Sequence, residues 1–241
     1  MRRAPIAIAA LVGACGSPRA PATSPSPTSP APSSTSPAPS ITWSEDGFDE
    51  RGLPAIAKDG SVVAIAVRDN DGGRGFPNLH LELRDRRDAL VRTIDVLAAN
   101  RYETDVVAGK ALAALVARSD AANAELAQLH GAHALVMMQA LPVENSEDGA
   151  DQIARADAIS LRWRSPTLEI AAGATRTTRA GASWLAKPGA RCAQCPPCDN
   201  PAYLAGAFVA PSVPGVALVQ IGYRGTDTCW EPSDQFHVVT W

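Results

Sequence analysis

Leu79-His80-Leu81-Glu82-Leu83-Arg84 sets one apolar residue against one polar residue for three full repeats. A period of two places successive side chains on opposite faces of a pleated chain, so this stretch is a half-buried strand. A strand of this kind needs neighbours, and the flanking sequence supplies them. Upstream, Lys58-Asp59-Gly60 is a turn and Ser61 to Arg68 carries Val62, Val63, Ile65 and Val67, a second strand. The Gly- and Asp-rich stretch from Asp69 to Asn78 joins the two as a loop. Downstream, the polar turn Asp85 to Asp88 leads into Ala89 to Leu97, a third strand. Short connections between successive strands predict an antiparallel meander.

The pattern then changes period. From about residue 104 to 130, Leu112, Leu115 and Val116 share a face at helical spacing, and Leu126 and Leu129 continue it. Ser119 or Asp120 is placed to cap a second helix and Gly131 to end it, which predicts two helices or one kinked helix. His133 to Leu141 returns to strand, and the acidic segment Pro142 to Gln152 is a loop. Ile159, Leu161 and Trp163 alternate with Ser160, Arg162 and Arg164, and Thr167 to Ala171 pairs back after Ser165-Pro166. Ala202 to Ala210, Val216 to Tyr223 and Gln235 to Trp241 are three more strands. Residues 41–241 therefore form a single α+β domain, mainly antiparallel β-sheet with an internal helical segment near 104–130.

The N-terminus has a different character. Met1-Arg2-Arg3 is a positive n-region, Ala4 to Val12 a short apolar run, and Gly13-Ala14 a pair of small residues before Cys15. The apolar run falls short of the roughly 20 residues that span a bilayer. With its Cys directly after the small residues, Leu11-Val12-Gly13-Ala14-Cys15 resembles the lipobox of bacterial lipoproteins. That resemblance implies a signal peptide over residues 1–14, a diacylglycerol on the Cys15 thiol, and Cys15 as the first residue of the mature chain. It implies a membrane partner through the N-terminal lipid and a place in the cell envelope, on the outer membrane, the periplasmic face or the surface. Residues 15–40 are the lipidated Cys and a tract of Pro, Ser, Thr and Ala that cannot bury a core. Extended at about 3.1 Å per residue, such a tether reaches on the order of 75 Å.

Loss of Arg2 and Arg3 leaves 20 basic against 25 acidic residues, a net charge near −5. No run of sequence is strongly basic, so nucleic acid is not expected as a partner. Four cysteines follow Cys15: Cys192, Cys195 and Cys198 in C-x-x-C-x-x-C spacing, and Cys229. In an exported chain an even number favours two disulfides, with three possible pairings. The same thiols have the composition of a zinc site. Cys195-Pro196-Pro197-Cys198 also resembles the active pair of thioredoxin-like proteins, which implies thiol–disulfide exchange.

Other motifs are weaker. Asp69-Asn70-Asp71-Gly72-Gly73 opens like a calcium loop but lacks the EF-hand order. Glu144, Glu147, Asp148 and Asp151 make an acidic cluster, expected to be solvated. His80, His130, His133 and His237 fall in no metal-binding spacing. Trp163, Trp184, Trp230 and Trp241 are expected in the core or lining a pocket. Ile56-Ala57-Lys58-Asp59-Gly60 before an apolar strand resembles one blade of a β-propeller, but no second copy follows. The terminal Trp241 resembles the closing strand of outer-membrane barrels, which need more and longer strands. No catalytic residue, metal or cofactor is assigned. The leading expectation is a non-enzymatic envelope module that binds a partner protein. The alternative is an exported enzyme, either redox through Cys195 and Cys198 or a hydrolase with dispersed residues.

Overall fold

A computed structural model describes residues 37–44, 47–70, 75–107, 112–147, 150–157, 159–181, 183–185, 200–224 and 231–241. Cys15, Cys192, Cys195, Cys198 and Cys229, together with the rest of residues 1–36, lie outside the described residues.

The described chain begins with a two-stranded ribbon, β1 (Ser40–Ser44) and β2 (Gly47–Arg51). Next comes a meander of β3 (Ala55–Ile56), β4 (Val62–Val67), β5 (Leu79–Asp85) and β6 (Leu90–Leu97). A 3₁₀ turn and a π turn precede α1 (Leu112–His133). The short strand β7 (Val136–Met137) then pairs with β3 and completes a first sheet of order β6-β5-β4-β3-β7. β8 (Gln139–Ala140), only two residues on, joins a different sheet. An outer sheet follows in chain order: β9 (Val143–Asn145), β10 (Gln152–Ala156), β11 (Ile159–Arg164), β12 (Thr167–Ala172) and β13 (Thr175–Ala180). The last strands, β14 (Ala202–Val209), β15 (Val216–Tyr223) and β16 (Gln235–Thr240), form a central sheet of order β16-β15-β14-β8. The architecture is α+β, dominated by antiparallel sheet, as the alternation predicts.

The packing explains the layering. Leu79, Leu81 and Leu83 on one face of the first sheet meet Leu115, Ala122 and Leu126 of α1, with Ile41 and Phe48 of the ribbon. Val63, Ile65 and Val67 on its other face meet Val216, Leu218 and Val238 of the central sheet. Ala217, Val219, Ile221 and Val239 point the opposite way, onto Leu161, Trp163, Leu168 and Ile170 of the outer sheet. The central sheet is therefore apolar on both faces, and β15 is apolar along most of its length for that reason, interrupted at Gln220. Each large side chain fully buried here contributes about 1.5–3 kcal/mol.

Several local expectations are corrected. α1 is one helix. Ser119 lies buried inside it, its hydroxyl donating to the Leu115 carbonyl at 3.1 Å, and caps nothing. The buried stripe is Leu115, Ser119, Ala122 and Leu126, while Leu112 and Val116 are exposed. Gly131 does not end the helix. Ala134 does, with φ of 49° and its N–H donating to the His130 carbonyl at 2.8 Å. Residues 142–152 are not wholly a loop, because β9 and the first residue of β10 fall within them. The blade-like meander exists, but as one layer of a stack between a helix and a second sheet. The strand preceding Trp241 sits between two apolar cores, at the edge of the central sheet.

Candidate functional site

The polar face of β5 organises the chemistry of this molecule. His80, Glu82 and Arg84 pair in register with Val67, Ile65 and Val63, so they point toward the side where the central sheet packs. The central sheet ends at β16, and the row is left half-buried at its margin. Charges in that position need partners, and they have them. His80 Nδ1 lies 3.5 Å from Asp69 and Nε2 lies 3.7 Å from Glu82. Glu82 accepts from Arg84 Nε at 2.8 Å, and Arg84 Nη1 reaches Asp88 at 3.2 Å. Asp88 Oδ2 meets His237 Nδ1 at 2.7 Å. The result is a continuous ladder, Asp69–His80–Glu82–Arg84–Asp88–His237, running from one loop to the C-terminal strand.

The electrostatics follow from the order of charges. The Asp69 carboxylate and then Glu82 stabilise the imidazolium of His80 and push its pKa up to about 9, against a smaller opposing effect of burial. Hydrogen bonding to His80 holds Asp69 below its ordinary value. Burial pushes Glu82 up, but His80 and Arg84 more than offset it and hold the carboxyl down.

Asp88 is the hinge of the arrangement. The Asp85 carboxylate accepts the N–H groups of Arg87 and Ala89, which shapes the turn. Asp88 adopts φ of 68°, the left-handed region that Asp tolerates better than most residues. Its side chain thereby accepts the Val238 N–H at 2.7 Å as well as meeting His237. β16 is an edge strand, and an unpaired edge N–H is a liability. Asp88 removes it and latches the β5–β6 turn to the end of the chain. The His237 ring stacks on Trp184 with centroids 4.6 Å apart, and its Nε2 lies 3.2 Å from the Trp184 carbonyl.

An Asp–His couple is the core of many hydrolytic sites, where the free imidazole nitrogen takes a proton from a nucleophile. Here that nitrogen faces a backbone carbonyl instead. Beside the couple opens a cleft of about 780 Å³ between the β5–β6 turn, the edge of β16 and β13. Arg86, Arg87, Arg179, Ser183 and Trp184 line it together with His237. Arg179 donates to the Thr240 carbonyl at 3.3 Å.

The sequence-predicted candidates are dispersed. Asp69 belongs to the ladder, its backbone clasped by Asn78 through bonds of 2.6 and 2.9 Å. Asp71, Gly72 and Gly73 lie outside the described residues, as do Asp148 and Trp230. Asp151 is not solvated: it is 4 % exposed and takes a bidentate pair of bonds from Arg164 at 2.6 and 3.0 Å. Trp163 is core, at 1 % exposure. His130 and His133 lie in the last turn of α1, and the His133 carbonyl accepts the Lys58 N–H. Among the described residues no cluster of His, Cys, Asp and Glu is arranged to hold a metal. Likewise, no described helix is long and apolar enough to cross a membrane. Sequence reading missed Asp88, Arg86, Arg87 and Arg179. The available signal was Asp85-Arg86-Arg87-Asp88, two cations between two acids in a turn of four residues.

No protein-family model, no curated protein and no solved structure matches this chain.

Proposed function

We propose that this chain is a lipid-anchored protein of the cell envelope whose domain acts as a binding module rather than an enzyme. The observation that carries the address is the order of elements in residues 1–15: positive charge, short apolar run, small residues, Cys15. The tract that follows supports a tether holding the domain away from the bilayer. The non-enzymatic reading is supported by the ladder, whose ionisable groups are committed to one another, and by His237, whose two ring nitrogens both face protein acceptors. Partner binding then belongs to the open surface.

Anchoring depends on one thiol. Metabolic labelling with a fatty-acid analogue is expected to mark the wild type and not Cys15→Ser, and equal labelling of both contradicts the reading. The enzymatic alternative rests on Cys195-Pro196-Pro197-Cys198. Intact mass after alkylation tests it. Two disulfides among Cys192, Cys195, Cys198 and Cys229 give no adduct without reductant and four with it. Two adducts without reductant turn the assignment toward redox chemistry.

A further inference from the structure

Among the described residues, seven of fourteen arginines stand in ion pairs. Arg68 meets Glu50, Arg92 meets Glu125, Arg101 and Arg118 meet Asp105, and Arg162 and Arg164 meet Asp151, all within ion-pair distance. Arg86, Arg87 and Arg179 belong to the other seven, with Arg51, Arg155, Arg176 and Arg224, and these three line one cleft. Among the described residues no carboxylate lies within ion-pair distance of Arg86, Arg87 or Arg179, and all three are exposed. The one carboxylate lining the cleft, Asp88, is already engaged by Arg84, His237 and the Val238 N–H. Three guanidinium groups around one concavity repel one another and gain from an anion that neutralises them.

The backbone also makes room for one of them. Arg86 extends over two turns, its Nη1 4.0 Å from where a Cβ would stand on Gly60 and its Nη2 3.5 Å from where one would stand on Gly215. Both glycines have positive φ, 73° and 82°. Neither glycine puts a side chain beneath the guanidinium, which lies over turns from two different sheets.

We propose that this cleft binds a phosphoryl group. A carboxylate brings one negative charge to three cations, whereas a phosphate monoester brings about 1.5 to 2 with three acceptor oxygens. Guanidinium forks match that oxygen geometry in pairs. The volume of about 780 Å³ falls in the range of small-ligand sites and exceeds one phosphate, so an organic part lies beyond it, beside Trp184. A free phosphoester and a phospholipid headgroup share this chemistry. The inference rests on reading the domain as a binding module, and it does not depend on the anchor.

The test is equilibrium dialysis of the full chain in neutral detergent against inorganic phosphate, with acetate as control. Saturable phosphate binding with little acetate binding is expected. Arg87→Gln and Arg179→Gln should each weaken it about tenfold, the cost of one charge-assisted contact. Arg176→Gln, on the same strand as Arg179 but outside the cleft, should leave it unchanged. These residues are exposed, so the variants remain folded. Absence of phosphate binding tighter than about 1 mM overturns the proposal, and so does binding that survives in the Arg87→Gln/Arg179→Gln double variant. Equal weakening by Arg176→Gln also overturns it, since that is general charge attraction. Repeating the measurement in zwitterionic nanodiscs with and without phosphatidate separates the sources. Loss of phosphate binding in phosphatidate discs assigns a headgroup, and unchanged binding assigns a free phosphoester. Failure of fatty-acid labelling removes the anchor alone, and failure of dialysis removes the phosphoryl site alone.

Discussion

Arg84 and Arg86 stand two residues apart on one hairpin and meet opposite fates. Arg84 ends the polar row of β5, where the neighbouring sheet covers it to 14 % side-chain exposure, and it is held by Glu82 and Asp88. Arg86 follows in the turn, exposed, laid over two glycines and, among the described residues, with no carboxylate within ion-pair distance. The difference separates two uses of charge. Where burial makes an unpaired charge costly, the chain supplies partners and the charges hold layers together. In the cleft, where water bears the cost, the chain leaves three charges open, and they are available to a ligand. The ladder should therefore govern stability and the cleft should govern binding, with little crossover.

The largest expected effect lies at Asp88. Asp88→Ala removes the acceptor for Val238, leaves His237 without its carboxylate and Arg84 with Glu82 alone, and puts alanine at positive φ. The expected loss is about 3 kcal/mol, with a fall in thermal midpoint of roughly 10 °C. Asp88→Asn retains a backbone acceptor and tolerates the left-handed conformation, so it should lose less. A midpoint within a degree of wild type for Asp88→Ala would show that the ladder does not hold the layers.

A smaller effect is carried by pH. His80 titrates near 9 in the folded chain against an ordinary value of 6.5. The folded state then binds more protons than the unfolded state between those values, so stability falls as pH rises. The contribution of His80 is complete below about pH 6.5 and is lost as pH passes through 9. Asp69 and Glu82 behave in the opposite sense. Both are held below their ordinary values of 3.8 and 4.5, so their contribution is present above those values and is lost on acidification. The contributions of His80, Asp69 and Glu82 are all complete between about pH 5 and 6.5. In thermal melts between pH 6.5 and 9, the wild type should lose midpoint steadily and His80→Gln should lose less. Parallel curves for the two proteins would place the pH response elsewhere.

The smallest effect is expected at the cleft. Arg87→Gln should change stability by no more than about 0.5 kcal/mol, as for an exposed side chain with no ion-pair partner among the described residues. A loss comparable to that of Asp88→Ala would erase the distinction between the two groups of charge.

The two groups were not equally legible in the sequence. The alternation of Leu79, Leu81 and Leu83 with His80, Glu82 and Arg84 carries the strand, its buried face and the polar row together. Hydrophobic periodicity is local, and the sheet is built from it. The ladder's closing contact joins Asp88 to His237 across 149 positions, and no spacing rule reaches that far. The helical segment expected over about 104–130 is one helix over Leu112–His133, and its face is half as expected: Leu115 and Leu126 are buried, whereas alanines at the flanking positions make Leu112 and Val116 look equally apolar. They are nonetheless exposed, and the narrow stripe through Ser119 packs instead. β9 was missed since three residues, Val143, Glu144 and Asn145, are too few to show a period. The cleft was invisible for a further reason: net charge near −5 hides three arginines that only folding brings onto one concavity.

The division of labour is tested most directly by thermal midpoints with and without inorganic phosphate, taken on wild type and on the Arg87→Gln/Arg179→Gln double variant. A ligand that binds only the folded state raises the midpoint in proportion to its occupancy. The account predicts equal midpoints for the two proteins without phosphate, and a phosphate-dependent rise in the wild type that the double variant lacks. A double variant that melts well below wild type without phosphate, with equal responses to added phosphate, would contradict it.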